Sequence, residues 1–139
     1  MADAFFDTNV LLYLLSDDAA KADRAEVLVD AGGVISVQVL NEFVAVARRK
    51  LDVPWPVVRE MLDTFKATLN IEAIGLPAHE KALEIAERYR LGIYDAQILA
   101  AARLAGCGVV YSEDMQDGLR IEGVLEIRNP FSPGRPARP

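Results

Sequence analysis

Cysteine and histidine are nearly absent from this chain. Among 139 residues there is one of each, Cys107 and His79. A lone cysteine makes no internal disulfide, and it suits a reducing compartment. Cys107 lies between two glycines just before Val109-Val110-Tyr111, the place of a structural thiol. His79 begins a polar helix elsewhere, so the sequence offers no Cys-His pair for nucleophilic catalysis. The shortage of sulfur and imidazole ligands also disfavours zinc. No apolar run approaches the roughly 18 to 20 residues of a membrane span. The first residues lack the basic region, apolar stretch and cleavage site of a secretory signal. These absences predict a cytoplasmic protein with no membrane partner. Cations are the minority charge, and the formal net charge is -6. That sign opposes nucleic-acid binding, which draws most of its affinity from Lys and Arg at phosphates. The objection weakens if acidic side chains hold divalent cations, because bound metal inverts the local sign.

What is present is an alternation of short apolar runs and helical segments. At this length the chain forms one domain that needs no disulfide staple. Ala4-Phe5-Phe6 predicts a buried strand ending at Asp7-Thr8-Asn9, where a helix follows until Asp17-Asp18 break it. A second helix runs from Ala19 to about Ala31 and ends at Gly32-Gly33. Val34-Ile35 is the second strand. Ser36 caps a third helix to about Leu51, and Pro54 and Pro56 precede a fourth from about Val57 to Leu69. Ile71-Glu72-Ala73-Ile74 alternates as an edge or half-buried strand does. Pro77 opens a long charged helix ending near Leu91-Gly92. The segment from Asp95 to Ala105 is apolar almost all round, which predicts a buried helix. Val109-Val110-Tyr111 and Leu125-Glu126-Ile127 are the last two strands. Such alternation predicts an α/β fold, a three-layer arrangement around a mainly parallel sheet with right-handed crossovers.

Residues 1–129 form this domain, and residues 130–139 differ in kind. Pro130, Pro133, Pro136 and Pro139 recur at every third position, the repeat of a polyproline II helix. A flexible tail and a docking motif both fit that spacing.

Topology places three acidic residues on one edge of the sheet. Asp7 ends the first strand and Asp114 follows the fourth, as Tyr111-Ser112-Glu113-Asp114. A crossover helix runs antiparallel to its strands, so Asp95, opening the buried helix, reaches the same edge. Ligands of open parallel sheets bind in the crevice outside the strand carboxyl ends. Each position has a plainer reading. Asp7 and Asp95 could be helix N-caps, and Asp114 could belong to a solvated turn with Glu113 and Asp117. Glu42 sits at the polar edge of the third helix, where Leu40, Phe43, Val44, Ala47 and Leu51 make the core stripe and Gln38, Asn41, Arg48 and Arg49 face away. An ordinary solvated glutamate would look the same. Several carboxylates in proximity raise each other's pKa unless a cation joins them, and oxygen-only ligation selects hard ions such as Mg2+ or Mn2+.

Asp7-Thr8-Asn9, Glu42, Asp95 and Ser112-Glu113-Asp114, in that order and spacing, resemble the PIN-domain ribonucleases, and within them the VapC-type toxins of toxin-antitoxin pairs. The resemblance covers residues 1 to about 129. It implies a five-stranded parallel sheet and Mg2+- or Mn2+-dependent endonuclease action on RNA, leaving 5'-phosphate and 3'-hydroxyl ends. Asp7, Glu42, Asp95 and Asp114 would be the catalytic and metal-binding acids, with Thr8, Asn9 and Ser112 orienting a carboxylate or the attacking water. It further implies a homodimer and a small antitoxin partner. Peripheral cations for RNA would be Arg48-Arg49-Lys50, Arg88 with Arg90, and Arg103. Excess apolar surface on the third helix, at Val39, Val46 and nearby Trp55, fits either a partner or the neighbouring helices.

Rival readings fare worse on the residues. A phosphatase with a strand-end aspartate needs a second aspartate where Asn9 stands. A phospho-acceptor receiver domain needs a lysine after a late strand, and none follows Val109-Val110 or Leu125-Glu126-Ile127. A PIN-like domain that binds RNA or protein without cutting stays open.

Overall fold

Every strand of the central sheet is short, so its stability rests on burial from both faces rather than on ladder length. The computed structural model describes residues 3–132. In chain order the elements are β1 (Ala4–Phe6), α1 (Thr8–Leu12), a 3-10 turn (Tyr13–Leu15), α2 (Ala19–Asp30), β2 (Val34–Ser36), α3 (Val37–Arg49), α4 (Trp55–Thr68), β3 (Asn70–Glu72), α5 (Leu76–Tyr89), α6 (Ile93–Leu104), β4 (Val109–Tyr111), β5 (Arg120–Ile121) and β6 (Leu125–Arg128). The sheet order is β3-β2-β1-β4-β6-β5. All neighbours pair in parallel except β5 with β6.

The α/β class and the mainly parallel sheet flanked by helices agree with the expectation, and the strand count does not. The sheet has six strands instead of five. The extra strand, Arg120–Ile121, has two residues and returns antiparallel on Leu125 and Glu126 across the Glu122-Gly123 turn. Two residues are too few for an alternation signal. The turn uses left-handed backbone at Glu122 and Gly123.

Buried aromatic and branched residues fill the space between sheet and helices. Phe5, Ile35, Val110 and Ile127 from the strands are fully buried, as are Phe43, Val58 and Leu99 from the helices. Phe43 and Phe65 meet edge to face at 5.0 Å, tying α3 to α4. The buried helix is as the sequence indicates: Ala96 and the run from Ile98 to Ala102 are sealed from solvent. On α3 the stripe is turned slightly from the expected one. Val39 is fully buried beside Phe43 and Ala47, while Leu51 is exposed. Gly33 is required where it stands, since a Cβ there would lie 2.7 Å from the Ala4 carbonyl oxygen and 2.6 Å from the Phe6 ring. Its bare backbone lets β2 lie against β1.

The order of strands also fixes where a ligand can bind. From β1 the chain winds outward to β2 and β3, then returns to the other side of β1 with β4 and β6. The switch point therefore lies between the carboxyl ends of β1 and β4, the position at which loops diverge and leave a crevice. No helix among the described residues is long and apolar enough to cross a membrane. Of the proline-spaced segment, Pro133, Pro136 and Pro139 lie outside the described residues. Pro130 and Phe131 lie on the fold: the Arg24 Nε donates to the Pro130 carbonyl at 3.3 Å, and Phe131 packs on Tyr13 at 4.6 Å.

Candidate active site

The parallel register pairs Phe6 with Tyr111, so the residues that follow them emerge side by side. The Asp7 amide continues the ladder by donating to the Tyr111 carbonyl at 3.0 Å. Ser112 then stands next to Asp7, and its hydroxyl donates to Asp7 Oδ2 at 2.8 Å. Asp7 Oδ1 accepts the Thr8 amide at 2.7 Å as the N-cap of α1. Asp7 thus caps a helix and faces the crevice at once; the two readings of this residue are compatible.

Asn9 joins the two strand ends. Its Nδ2 lies 3.3 Å from Asp7 Oδ2, 3.4 Å from Ser112 Oγ and 3.2 Å from Asp114 Oδ2. Its Oδ1 accepts the Glu113 amide at 3.1 Å. One primary amide therefore orients two carboxylates and the turn that carries the second. Ser112 is fully buried, and its Oγ also accepts the Met115 amide at 3.3 Å. The small polar residues of the sequence motif are thus the ones that position its acids.

Glu42 reaches the same place from α3. Thr8 Oγ1 donates to Glu42 Oε1 at 2.7 Å, and Gln38 Nε2 lies 3.4 Å from Oε2. Gln38 lies off the core stripe, as its place in the helical pattern suggested, and from there it reaches Glu42. Its amide also donates to the Tyr94 carbonyl at 3.3 Å, linking α3 to the first turn of α6. The i to i+4 spacing from Gln38 to Glu42 was the available signal for this contact. Asp95 lies in the first turn of α6, whose N-cap is Gly92, with no side-chain cap bond. The capping reading of Asp95 is therefore set aside.

Asp7, Glu42, Asp95 and Asp114 all line one cleft of about 290 Å³, with Thr8, Asn9 and Tyr94. No Lys or Arg lines it, and among the described residues none makes an ion pair with any of the four acids. The electrostatic consequence is visible in two carboxyls. Burial pushes the Asp7 carboxyl up from 3.8 to about 6, against the lowering effect of its Ser112 and Thr8 hydrogen bonds; Glu42 and Asp95 add to the rise. Asp95 is exposed as a residue, yet its carboxyl head is partly desolvated in the cleft. That desolvation raises its pKa, followed by the charges of Asp114 and Glu42.

Glu113 and Asp117, the other acids of the late turn, point elsewhere. Glu113 pairs with Lys21 at 2.7 Å and accepts the Tyr13 hydroxyl at 2.5 Å. Asp117 accepts the Asn129 amide at 2.9 Å. Several of the cations expected around the site are also engaged. Arg103 pairs with Glu122 at 3.0 Å, Arg48 donates to the Val53 carbonyl at 2.8 Å and stacks over Trp55, and Arg88 lies over Tyr89. Arg49 and Lys50 stay exposed at the end of α3.

The donor chemistry of the cleft is that of a hard-cation site: carboxylate oxygens, with no sulfur or imidazole. Among the described residues no three His, Cys, Asp or Glu side chains are grouped as a ready-made metal cage. The oxygen-only lining suits hard divalent ions as a class.

An acidic cleft at the switch point of a parallel α/β sheet defines a class of domain, and a comparison with protein families narrows it. The PIN domain family model matches residues 4–117, and the chain belongs to that family. No curated protein matches it in sequence. Solved structures share the fold. A chain of a toxin-antitoxin complex from Klebsiella pneumoniae superposes with TM-score 0.69 and 24% identity, over 92% of this chain and 98% of that one. VapC20 of Mycobacterium tuberculosis, described as a sarcin-ricin loop cleaving toxin, gives 0.65 and 19%, over 80% and 89%. A chain of DNA-bound VapBC from Salmonella typhimurium gives 0.65 and 21%, over 91% and 98%.

Proposed function

We propose that this PIN domain is a divalent-metal-dependent endoribonuclease and the toxin of a toxin-antitoxin pair. The observation that carries the reading is the convergence of Asp7, Glu42, Asp95 and Asp114 on one cleft that no cationic side chain neutralises. Asp7 and Asp95 are the principal metal ligands in this reading, and Glu42 and Asp114 complete the site in part through water. Mg2+ is the natural ion and Mn2+ its substitute. Bound there, the ion would lower the pKa of an attacking water and offset charge on the phosphodiester. The protein's own part is orientation. Ser112, Thr8 and Asn9 hold the carboxylates at fixed angles, and burial at the end of β1 keeps Asp7 largely away from bulk water.

Support for the toxin assignment comes from relatives of the same fold that act within toxin-antitoxin complexes. The partners proposed on that basis are a small antitoxin protein and a second copy of this chain in a homodimer, in the cytoplasm. The domain comprises residues 1–129, with 130–139 as an appendage.

The test is cleavage of RNA by purified protein. Activity is expected with Mg2+ or Mn2+, is lost in EDTA, and is lost in Asp7→Asn and Asp95→Asn variants that remain folded. Full activity in either variant would remove the proposed site. One observation favours a second reading, a PIN domain that binds RNA or protein without cutting it: no three acidic side chains stand as a ready cage among the described residues. RNA binding that persists unchanged in EDTA, without cleavage under any divalent ion, would select it.

A further inference from the structure

Tyr94 is 71% exposed, more than any other large apolar side chain among the described residues. It is nonetheless part of the site, since it lines the acidic cleft and directly precedes Asp95 in the first turn of α6. Among the described residues neither its ring nor its hydroxyl has a partner, so the fold gains little from an aromatic side chain there. Its backbone is held: the helix fixes its direction, and the Gln38 amide ties its carbonyl to α3. The ring therefore projects at the mouth of the cleft from a fixed backbone position.

The chemistry of the cleft gives that ring a task. Tyr94 is the only aromatic residue of the lining, and no Lys or Arg is there to hold a polyanion. Charge neutralisation by side chains, the usual source of nucleic-acid affinity, is missing where the reacting phosphodiester must sit. A nucleobase presents a π-face whatever its sequence, and stacking on an aromatic side chain supplies affinity without charge. Apolar lining at Leu12 and Val46 offers further surface that a base tolerates and a phosphate does not.

We propose that Tyr94 is a stacking platform for one unpaired nucleobase of the RNA substrate, next to the phosphodiester facing Asp7 and Asp95. The proposal rests on the nuclease reading above and adds a substrate-positioning residue to it. Only a base freed from its helix can lie against an exposed ring, so the RNA enters as a single-stranded segment or a loop.

The test uses a short single-stranded RNA of random sequence carrying 2-aminopurine, whose fluorescence is quenched by stacking. It is titrated with full-length protein in Ca2+, an oxygen-seeking ion, and RNA cleavage is followed separately in Mg2+ and Mn2+. Wild type and Tyr94→Phe are expected to bind and quench alike. Tyr94→Leu keeps an apolar side chain without the π-face, and it is expected to lose the quench and bind about tenfold more weakly. The same variant should raise the KM for RNA more than it lowers kcat. Wild-type cleavage together with unchanged binding and quench in Tyr94→Leu would overturn the stacking role alone. Tyr94→Leu that retains RNA binding but loses association with a second copy would reassign the ring to a protein interface. A wild-type protein that neither binds nor cuts RNA would overturn the nuclease reading, and the stacking role with it.

Discussion

Thr8 Oγ1 donates to Glu42 Oε1 at 2.7 Å, so the first residue of α1 holds an acid that lies 34 positions further along the chain. The bond decides whether Glu42 is a solvated helix residue or part of the cleft, because without it a long carboxylate in the second turn of α3 is free to point at water. Thr8→Val keeps the volume and removes the donor. In metal sites, loss of a partner that orients a carboxylate typically costs about 10- to 100-fold in affinity or activity. RNA cleavage is expected to fall by about that factor with little change in Tm, and Thr8→Ser should restore most of it. Wild-type rates in Thr8→Val would show that Glu42 acts without Thr8.

The Asp7 carboxyl makes stability depend on pH in a definite direction. Its pKa is 3.8 when unperturbed and about 6 in the fold, chiefly through burial. Between those values the native state binds more protons than the unfolded chain, so stability falls as pH rises. The loss begins near pH 4 and is complete somewhat above pH 6. A shift of that size corresponds to about 3 kcal/mol at neutral pH, as an order of magnitude. In metal-free protein Asp7→Asn is therefore expected to stabilise by about 1 to 3 kcal/mol at pH 8 and to lose that advantage below pH 4. Urea unfolding at the two pH values measures it. Destabilisation by Asp7→Asn at pH 8 would mean that the α1 cap and the Ser112 hydrogen bond outweigh the charge.

Asp7 and Asp114 also mark what the sequence could reveal. Asp7 was legible because an apolar strand stops abruptly at it, and Asp114 because it follows another such strand. The register that sets Phe6 beside Tyr111 then brings the two together. Glu42 was not legible from pattern, since its partner Thr8 belongs to a different element and helical periodicity reports only one helix at a time. The contact made by Gln38 was hidden for the same reason: the pattern sees a polar residue and cannot see the Tyr94 carbonyl that it reaches from α3. The short β5 strand failed for another cause, as its two residues are fixed by the turn at Glu122 and by pairing with β6 rather than by their own alternation. Asp95 was placed on the correct edge, and only its capping alternative falls, because helix α6 starts at Ile93 and leaves its capping position to Gly92.

Cys107 is expected to be chemically silent. It is 4% exposed, and burial, with smaller contributions from Asp3 and Glu72, pushes its thiol up to about 11. Thiolate is the reactive form, so iodoacetamide at pH 8 should label the native protein far more slowly than the urea-unfolded chain. Rapid labelling of the native state would point to local opening of the segment between α6 and β4.

The late acidic turn separates Asp114 from its neighbours. Glu113 is withdrawn from the cleft by the Lys21 ammonium at 2.7 Å and the Tyr13 hydroxyl at 2.5 Å. Although its partial burial pushes the other way, these bonds hold its carboxyl below the ordinary range. Asp114, one residue on, keeps Oδ2 against the Asn9 amide and lines the cleft. The two side chains thus have different tasks despite their adjacency: Glu113 anchors the turn and Asp114 presents a carboxylate. Calorimetric titration with Mg2+ should find affinity reduced about 10- to 100-fold in Asp114→Asn. In Glu113→Gln, which retains an acceptor for Tyr13, affinity should be unchanged while Tm falls. Equal losses of Mg2+ affinity in both variants would mean that the whole turn, rather than Asp114 alone, supports the ion.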